Sequence, residues 1–303
     1  MGIREVQMVA EEYQHKLTAP VAFLFRDLST GETVSIHGSG AYPTASMYKL
    51  YILAELYRKA WAGECSLSDR IPLEDSHRSI GSGVLKNLQN GALLTLRDYA
   101  MLMMNLSDNT ATNVLYRFVG RDAIQKNVID ALGLSATKCD FDCTELIDRY
   151  FDLNGGTVEQ LRKDHGGKLP SFRNSPYYCC TTEENNQTSC LDAAKMYELI
   201  YRGEWVCKEA CDDMLQILKL CQTNRRIPHD LPVTVPVAHK TGTLDRLCVD
   251  TGIVYAPGGD YILCLFYNGN LADEAEYEAN ERGRIGEDFL AELSLRVYEA
   301  YHQ

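Results

Sequence analysis

Ser46-Met47-Tyr48-Lys49 is the stretch of this sequence best equipped for covalent chemistry. A hydroxyl and an amine three residues apart share one face of a helix, with Cβ atoms roughly 5–6 Å apart, so a base lies within reach of a nucleophile. Pro43 disfavours a helical Tyr42 and Thr44 is a capping type, so a helix is expected to begin between them with Ser46 in its first turn. The first four N–H groups of a helix lack internal partners, which leaves that of Ser46 free to donate to an oxyanion. Ser135-Ala136-Thr137-Lys138 repeats the spacing, but it follows Gly133-Leu134, has no apolar helical stripe behind it and reads as loop.

Two further segments follow in order, Ser107-Asp108-Asn109 and Lys240-Thr241-Gly242-Thr243. Singly each is ordinary: a serine at a helix start is usually a cap, S-D-N is a common loop composition and K-T-G fits a strand end with a turn. Together the three are the signature of class A β-lactamases and penicillin-binding proteins. From about Val21 to Tyr267 the chain resembles that family. The resemblance implies attack by Ser46 on a lactam or amide carbonyl, with Lys49 as base and Ser107 relaying the proton to the leaving nitrogen. It implies Asn109 as the holder of a substrate amide and the backbone N–H of Thr243 as second oxyanion donor. Lys240, Thr241, Gly242 and Thr243 would bind a substrate carboxylate, with Arg246 as a further partner. Burial and the second cation, Lys240, would both favour a neutral Lys49. Ser82-Gly83-Val84-Leu85 and Val237-Ala238-His239 also look like family segments, His239 being read as a strand residue.

The sequence departs from the family after S-D-N. Class A β-lactamases carry E-x-x-L-N there, whose glutamate activates the deacylating water, and no such string occurs. The nearest is Asp148-Arg149-Tyr150-Phe151-Asp152-Leu153-Asn154, which makes Asp152 the candidate base, while Glu145, Glu183 and Glu184 read as solvated loop. Asn186-Gln187-Thr188-Ser189 looks at least as much like penicillin-binding peptidases. The expected activity is that of a β-lactamase-like serine hydrolase working through a Ser46 acyl-enzyme on a small-molecule β-lactam. The alternatives are a D-alanyl-D-alanine carboxypeptidase or related esterase or amidase acting on D-Ala-D-Ala-like peptides, and a covalent β-lactam sensor without turnover. Turnover at ~10 per second and an adduct lasting hours differ by about five decades. A positioned general base supplies ~10²–10⁴ of such a factor.

The elements that must position these residues alternate in a simple way. Val6, Val9, Tyr13 and Leu17 mark an amphipathic helix, and Val21–Phe25 with Thr33–Ile36 read as a hairpin around Asp27-Leu28-Ser29-Thr30-Gly31. Helical patterns dominate from Thr44 to about Gly203, with S-D-N in a short connection between two of them. Val233–Lys240, Thr251–Tyr255 and Tyr261–Tyr267 read as strands, and Leu290, Leu293, Val297 and Tyr301 mark a closing helix. The expected fold is α+β: an antiparallel sheet from both chain ends flanked by terminal helices (1–43 and 204–303), plus a helical domain (44–203) with a long loop at about 138–188. The resemblance implies the same arrangement, with the active site between the two parts.

The 303 residues carry a formal net charge of −12, which argues against nucleic acid and anionic membrane surfaces as partners. No stretch reaches the ~18 apolar residues of a membrane span. Eleven cysteines without C-x-x-C or a histidine pair favour buried, reduced thiols over a metal site, so neither cofactor nor metal is expected, and a monomer is. The resemblance points to a secreted or periplasmic protein. The amino terminus lacks a basic-then-apolar leader, which leaves a cytoplasmic protein or one whose leader has been removed.

Overall fold

The computed structural model describes residues 2–16, 21–167, 185–244, 247–268 and 279–302. Strands β1 (Val21–Asp27) and β2 (Thr33–Ile36) precede four short ones, β3 (Tyr42–Pro43), β4 (Arg70–Pro72), β5 (Leu93–Thr95) and β6 (Gln187–Thr188). Strands β7 (Val237–Thr243), β8 (Leu247–Val254) and β9 (Tyr261–Asn268) come from the carboxy-terminal part. The long strands form one antiparallel sheet in the order β2-β1-β9-β8-β7, so chain segments more than 200 positions apart pair as neighbours. The helices are α1 (Gly2–Lys16), α2 (Lys49–Trp61), α3 (Leu96–Asn105), α4 (Asn109–Val119), α5 (Arg121–Ile124), α6 (Cys143–Tyr150), α7 (Val158–Asp164), α8 (Cys190–Arg202), α9 (Lys208–Lys219) and α10 (Ala279–Tyr301).

Both faces of the sheet are covered, which is why its strands read as continuous apolar runs rather than alternating ones. In β1, Phe23 and Phe25 share a cluster with Val6, Val9 and Tyr13 of α1 and Leu290, Leu293 and Val297 of α10. Ala22 and Leu24 point the other way, into a larger cluster with α2, α3, α4, α8 and α9. At the β1–β2 turn Asp27 accepts the N–H groups of Ser29 (2.7 Å) and Thr30 (3.1 Å), and Gly31 takes φ = 77°. The hairpin expected there is present.

One expected strand is shorter than its sequence pattern. Val233 is 99% exposed and β7 begins only at Val237, because Pro232 and Pro236 bracket a turn and neither donates to a ladder. Strand β7, which carries Lys240 to Thr243, lies at the sheet edge against β8, with Lys240 opposite Thr251 and Gly242 opposite Val249. Within residues 138–188 the described part holds α6, α7 and β6. Among the described residues no helix is long and apolar enough to cross a membrane, and no group of three metal-ligating side chains converges.

Candidate active site

Ser46 lies in a 3₁₀ turn, Ala45–Tyr48, that runs directly into α2 at Lys49. Thr44 does not cap it. Its hydroxyl donates instead to the carbonyls of Ala45 (3.1 Å) and Asn186 (3.4 Å), and its N–H donates to Asn186 (3.0 Å). The segment around β6 therefore anchors the start of the turn, through β3 and the Asn186 carbonyl. Ala45 adopts φ = 44°, a left-handed conformation that costs a residue with a Cβ of order 1–3 kcal/mol. Ser46 itself is half-buried.

Lys49 is fully buried, and its amine donates to Ser107 O (2.7 Å), Asn109 Oδ1 (2.9 Å) and Ser107 Oγ (3.0 Å). Ser46 is not among these partners. Burial lowers the proton affinity of Lys49, against the opposing influence of Cys143 and Asp108. Lys240, equally buried, donates to Thr241 O (2.7 Å) and to the same Ser107 Oγ (3.2 Å). Its pKa falls to about 7, first through burial and then through repulsion from Lys49. Ser107 stands in the short connection between α3 and α4 with φ = 53°.

The neighbours of Ser107 are tied down by backbone contacts. Asp108 caps α4 by accepting Ala111 N–H (2.9 Å), and its other oxygen takes the N–H groups of Val84 (2.6 Å) and Leu85 (2.9 Å). Asn109 donates its amide to Ile80 O (2.8 Å). On the opposite side β7 passes close to the nucleophile's turn. A Cβ at Gly242 would stand 2.4 Å from Thr44 O and 3.2 Å from Ser46 N, so only glycine fits.

Three geometric consequences bear on chemistry. Ser107 O and Asn109 Oδ1 can only accept, so a neutral Lys49 amine gives its two protons to them and turns its lone pair toward Ser107 Oγ. Ser107 then bridges two amines of depressed basicity. Finally, the N–H of Ser46 and edge strand β7 face each other across van der Waals distance.

Residues 3–301 match the profile of the β-lactamase enzyme family. The chain belongs to that family. Beta-lactamase CARB-4 of Pseudomonas aeruginosa is 26% identical over 160 residues, 52% of each chain. The match thus spans about half the length of the curated relatives CARB-4 and PSE-4. Among solved structures, a β-lactamase from Sphaerobacter thermophilus aligns with TM-score 0.77 at 24% identity, over 100% of this chain and 98% of that one. A variant of PBP-A solved as an acyl-enzyme complex with penicillin G aligns with TM-score 0.76 at 21% identity, over 99% of this chain and 97% of that one. Both share this β-lactamase fold.

Several residues escape a motif-based reading of this β-lactamase-family chain. Arg226, with no exposed surface, reaches behind β7 and donates to Gly242 O (2.8 Å), Val249 O (2.7 Å) and Thr243 Oγ1 (2.6 Å). The Arg225-Arg226 pair upstream of Lys240 was its only signal. His239 is buried against Asp250 (Nδ1 to Oδ1, 2.8 Å), which also takes Ile227 N–H (3.0 Å). Burial works against a charged imidazole there, but the Asp250 carboxylate prevails and raises its pKa to about 10. Cys143, first residue of α6, places its thiol 3.1 Å from Tyr48 Oη. A search for E-x-x-L-N passes over Cys143-Thr144-Glu145-Leu146, which keeps the spacing to leucine with a thiol in first place.

The remaining candidates lie apart. Asp152 lines an open acidic hollow with Glu145, Asp148, Arg149, Asn154 and Gly155, and accepts from Asn154 Nδ2 (2.7 Å). Ser135 is exposed in a turn, as a loop reading requires. Arg246, Glu183 and Glu184 fall outside the described residues.

Proposed function

We propose that this protein is a class A-like serine hydrolase that opens the amide of β-lactams through an acyl-enzyme on Ser46. The observation that carries the reading is the convergence of Lys49 and Lys240 on Ser107 Oγ beside the Ser46 turn. The solved PBP-A variant, which holds penicillin G as an acyl-enzyme, supports the substrate class.

Ser46 Oγ adds to the lactam carbonyl while its proton passes to neutral Lys49, whose burial makes that form accessible and whose lone pair swings from Ser107 Oγ to the arriving proton. The oxyanion is taken by the N–H groups of Ser46 and Thr243, a pairing that the close approach of Gly242 to Ser46 N supports. Ser107, poised between two amines, hands a proton to the lactam nitrogen as the C–N bond breaks. Lys240, Thr241 and Thr243 receive the substrate carboxylate, and Arg226 adds positive charge from behind Thr243. Asn109 holds the side-chain amide. The site lies between a sheet part (1–43 and 204–303) and a helical part (44–203), and every group comes from one chain, so a monomer suffices.

Intact-mass spectrometry after mixing with a penicillin and a cephalosporin tests this. The expected result is an adduct localised to Ser46 together with opened lactam, and neither in Ser46→Ala. An adduct that persists in Ser46→Ala overturns the assignment and turns attention to Ser135.

A further inference from the structure

We propose that turnover at this site is limited by the absence of a carboxylate at position 143: the Cys143 thiol occupies, without acting as a base, the place next to Tyr48 and Lys49 from which a carboxylate would activate the deacylating water, so the acyl-enzyme outlives its formation. The inference rests on the Ser46 acyl-enzyme proposed above.

Cys143 is held by more than packing. Its N–H donates to Asn113 Oδ1 (2.9 Å), and Asn113 Nδ2 donates to Thr144 Oγ1 (2.8 Å) and His77 O (3.2 Å). Asn113 belongs to α4, the helix whose first residue holds Lys49. Tyr48, whose hydroxyl meets the thiol, closes the 3₁₀ turn that carries Ser46. Two elements of the active site thus fix one sulfur between them. Thiol and Lys49 amine are close enough that each alters the other's proton affinity.

Release of the acyl group requires water oxygen to add to the ester carbonyl while a base takes one of its protons. The tetrahedral intermediate then expels Ser46 Oγ, which regains a proton, and the opened lactam leaves as a carboxylic acid. The groups able to take that first proton are few among the described residues. Burial raises the Cys143 thiol above its ordinary value, so it is neutral near pH 7 and a poor base. Lys49, the base of acylation, hydrogen-bonds Ser107 and Asn109 and not the Cys143 thiol, so a base at position 143 would be a second one, reserved for the water.

The nearby carboxylates are already engaged. Asp108 accepts three backbone N–H groups. Asp142 takes Glu145 N–H (2.9 Å) and pairs with Arg117 (2.7 Å), and Glu145 returns an oxygen to Asp142 N–H (2.8 Å). Asp148 and Asp152 line the separate hollow. A thiol therefore stands where the reaction calls for a base.

The test uses the full chain, with benzylpenicillin as probe. Adduct formation and, after removal of free penicillin, adduct loss are followed by intact mass, and opened lactam is followed in the first seconds. For the wild type we expect a stoichiometric burst of opened lactam followed by a much slower steady state. Cys143→Asp or Cys143→Glu should lose the Ser46 adduct ~10²–10⁴ faster, the usual worth of a positioned base, while forming it at a rate within about fivefold of wild type. Cys143→Ala should lose the adduct at a rate within a few-fold of wild type. The proposal is overturned by a wild type without a burst, or by carboxylate variants that acylate normally and deacylate no faster. Deacylation slowed about tenfold or more in Cys143→Ala also overturns it, since the thiol would then itself be the base. Should the carboxylate variants fail to fold, the burst and the alanine variant still decide. Absence of any wild-type adduct would instead refute the acyl-enzyme reading.

Discussion

Lys49 and Lys240, 191 positions apart in the chain, bring their amines to 3.0 and 3.2 Å from the same oxygen, Ser107 Oγ. Two buried ammonium groups so placed cannot both keep their protons at little cost. The sheet and the helices that deliver them thereby tune the chemistry, burial first and the mutual repulsion felt by Lys240 second, against the opposing pull of Cys143 and Asp108 on Lys49 and of Cys221 and Asp250 on Lys240.

A pH profile should report this directly. Lys240, with a pKa of about 7, is an ammonium below that pH and an amine above it. Its attraction for a substrate carboxylate is therefore present on the acid side and fades through pH 7–8. We expect kcat/KM for benzylpenicillin acylation to decline on that limb, and Lys240→Arg, which stays charged, to abolish the decline. An unchanged limb in the arginine variant would assign it to another group.

Gly242→Ala examines the contact between β7 and the nucleophile's turn. The new methyl group would lie 2.4 Å from a backbone oxygen, so strand or turn must shift and the two N–H groups flanking the oxyanion part. Acylation is expected to slow by ~10²–10³, the usual cost of one oxyanion donor, with a smaller change in the urea midpoint. Wild-type acylation in this variant would mean that the turn tolerates displacement.

The buried His239–Asp250 pair should appear in stability rather than in turnover. His239 has a folded pKa of about 10 against about 6.5 unfolded, so its contribution is fully present below pH 6.5 and is lost as pH rises through 10. Stability from urea unfolding at pH 6, 8 and 10 should fall by about 4 kcal/mol across that range relative to His239→Gln. Parallel curves for the two proteins would remove the charge from this histidine.

Asp152→Asn is expected to leave adduct formation and loss within about twofold of wild type, because Asp152 faces the open hollow of α6 and not Lys49. Adduct loss followed by mass spectrometry measures it, and a large slowing would return Asp152 to the site.

The acylating half of this site was legible because its residues are local. Ser46 and Lys49 lie one turn apart, Ser107 and Asn109 flank a helix cap, and Lys240 to Thr243 form one strand segment. The sheet was legible for a similar reason, since strands buried on both faces leave long apolar runs. Arg226 was not, because a buried arginine is recognised only by the carbonyls it reaches across the fold. Cys143 was missed because the expected chemistry called for a carboxylate. The start of β7 was misplaced because period-two alternation continues through Val233 and Val235 although flanking prolines forbid a ladder.

Strand β1 lies between β2 and β9, so the sheet closes only when the last third of the chain arrives. Such remote pairing makes folding slow, and during synthesis the amino-terminal part is made first. A chain halted before Val237 would own Ser46, Lys49 and Ser107 yet lack the second amine and the strand beside the serine. Chemical competence is thus the final event of maturation, and a half-made molecule is spared from being labelled by the compounds that we propose its finished form opens.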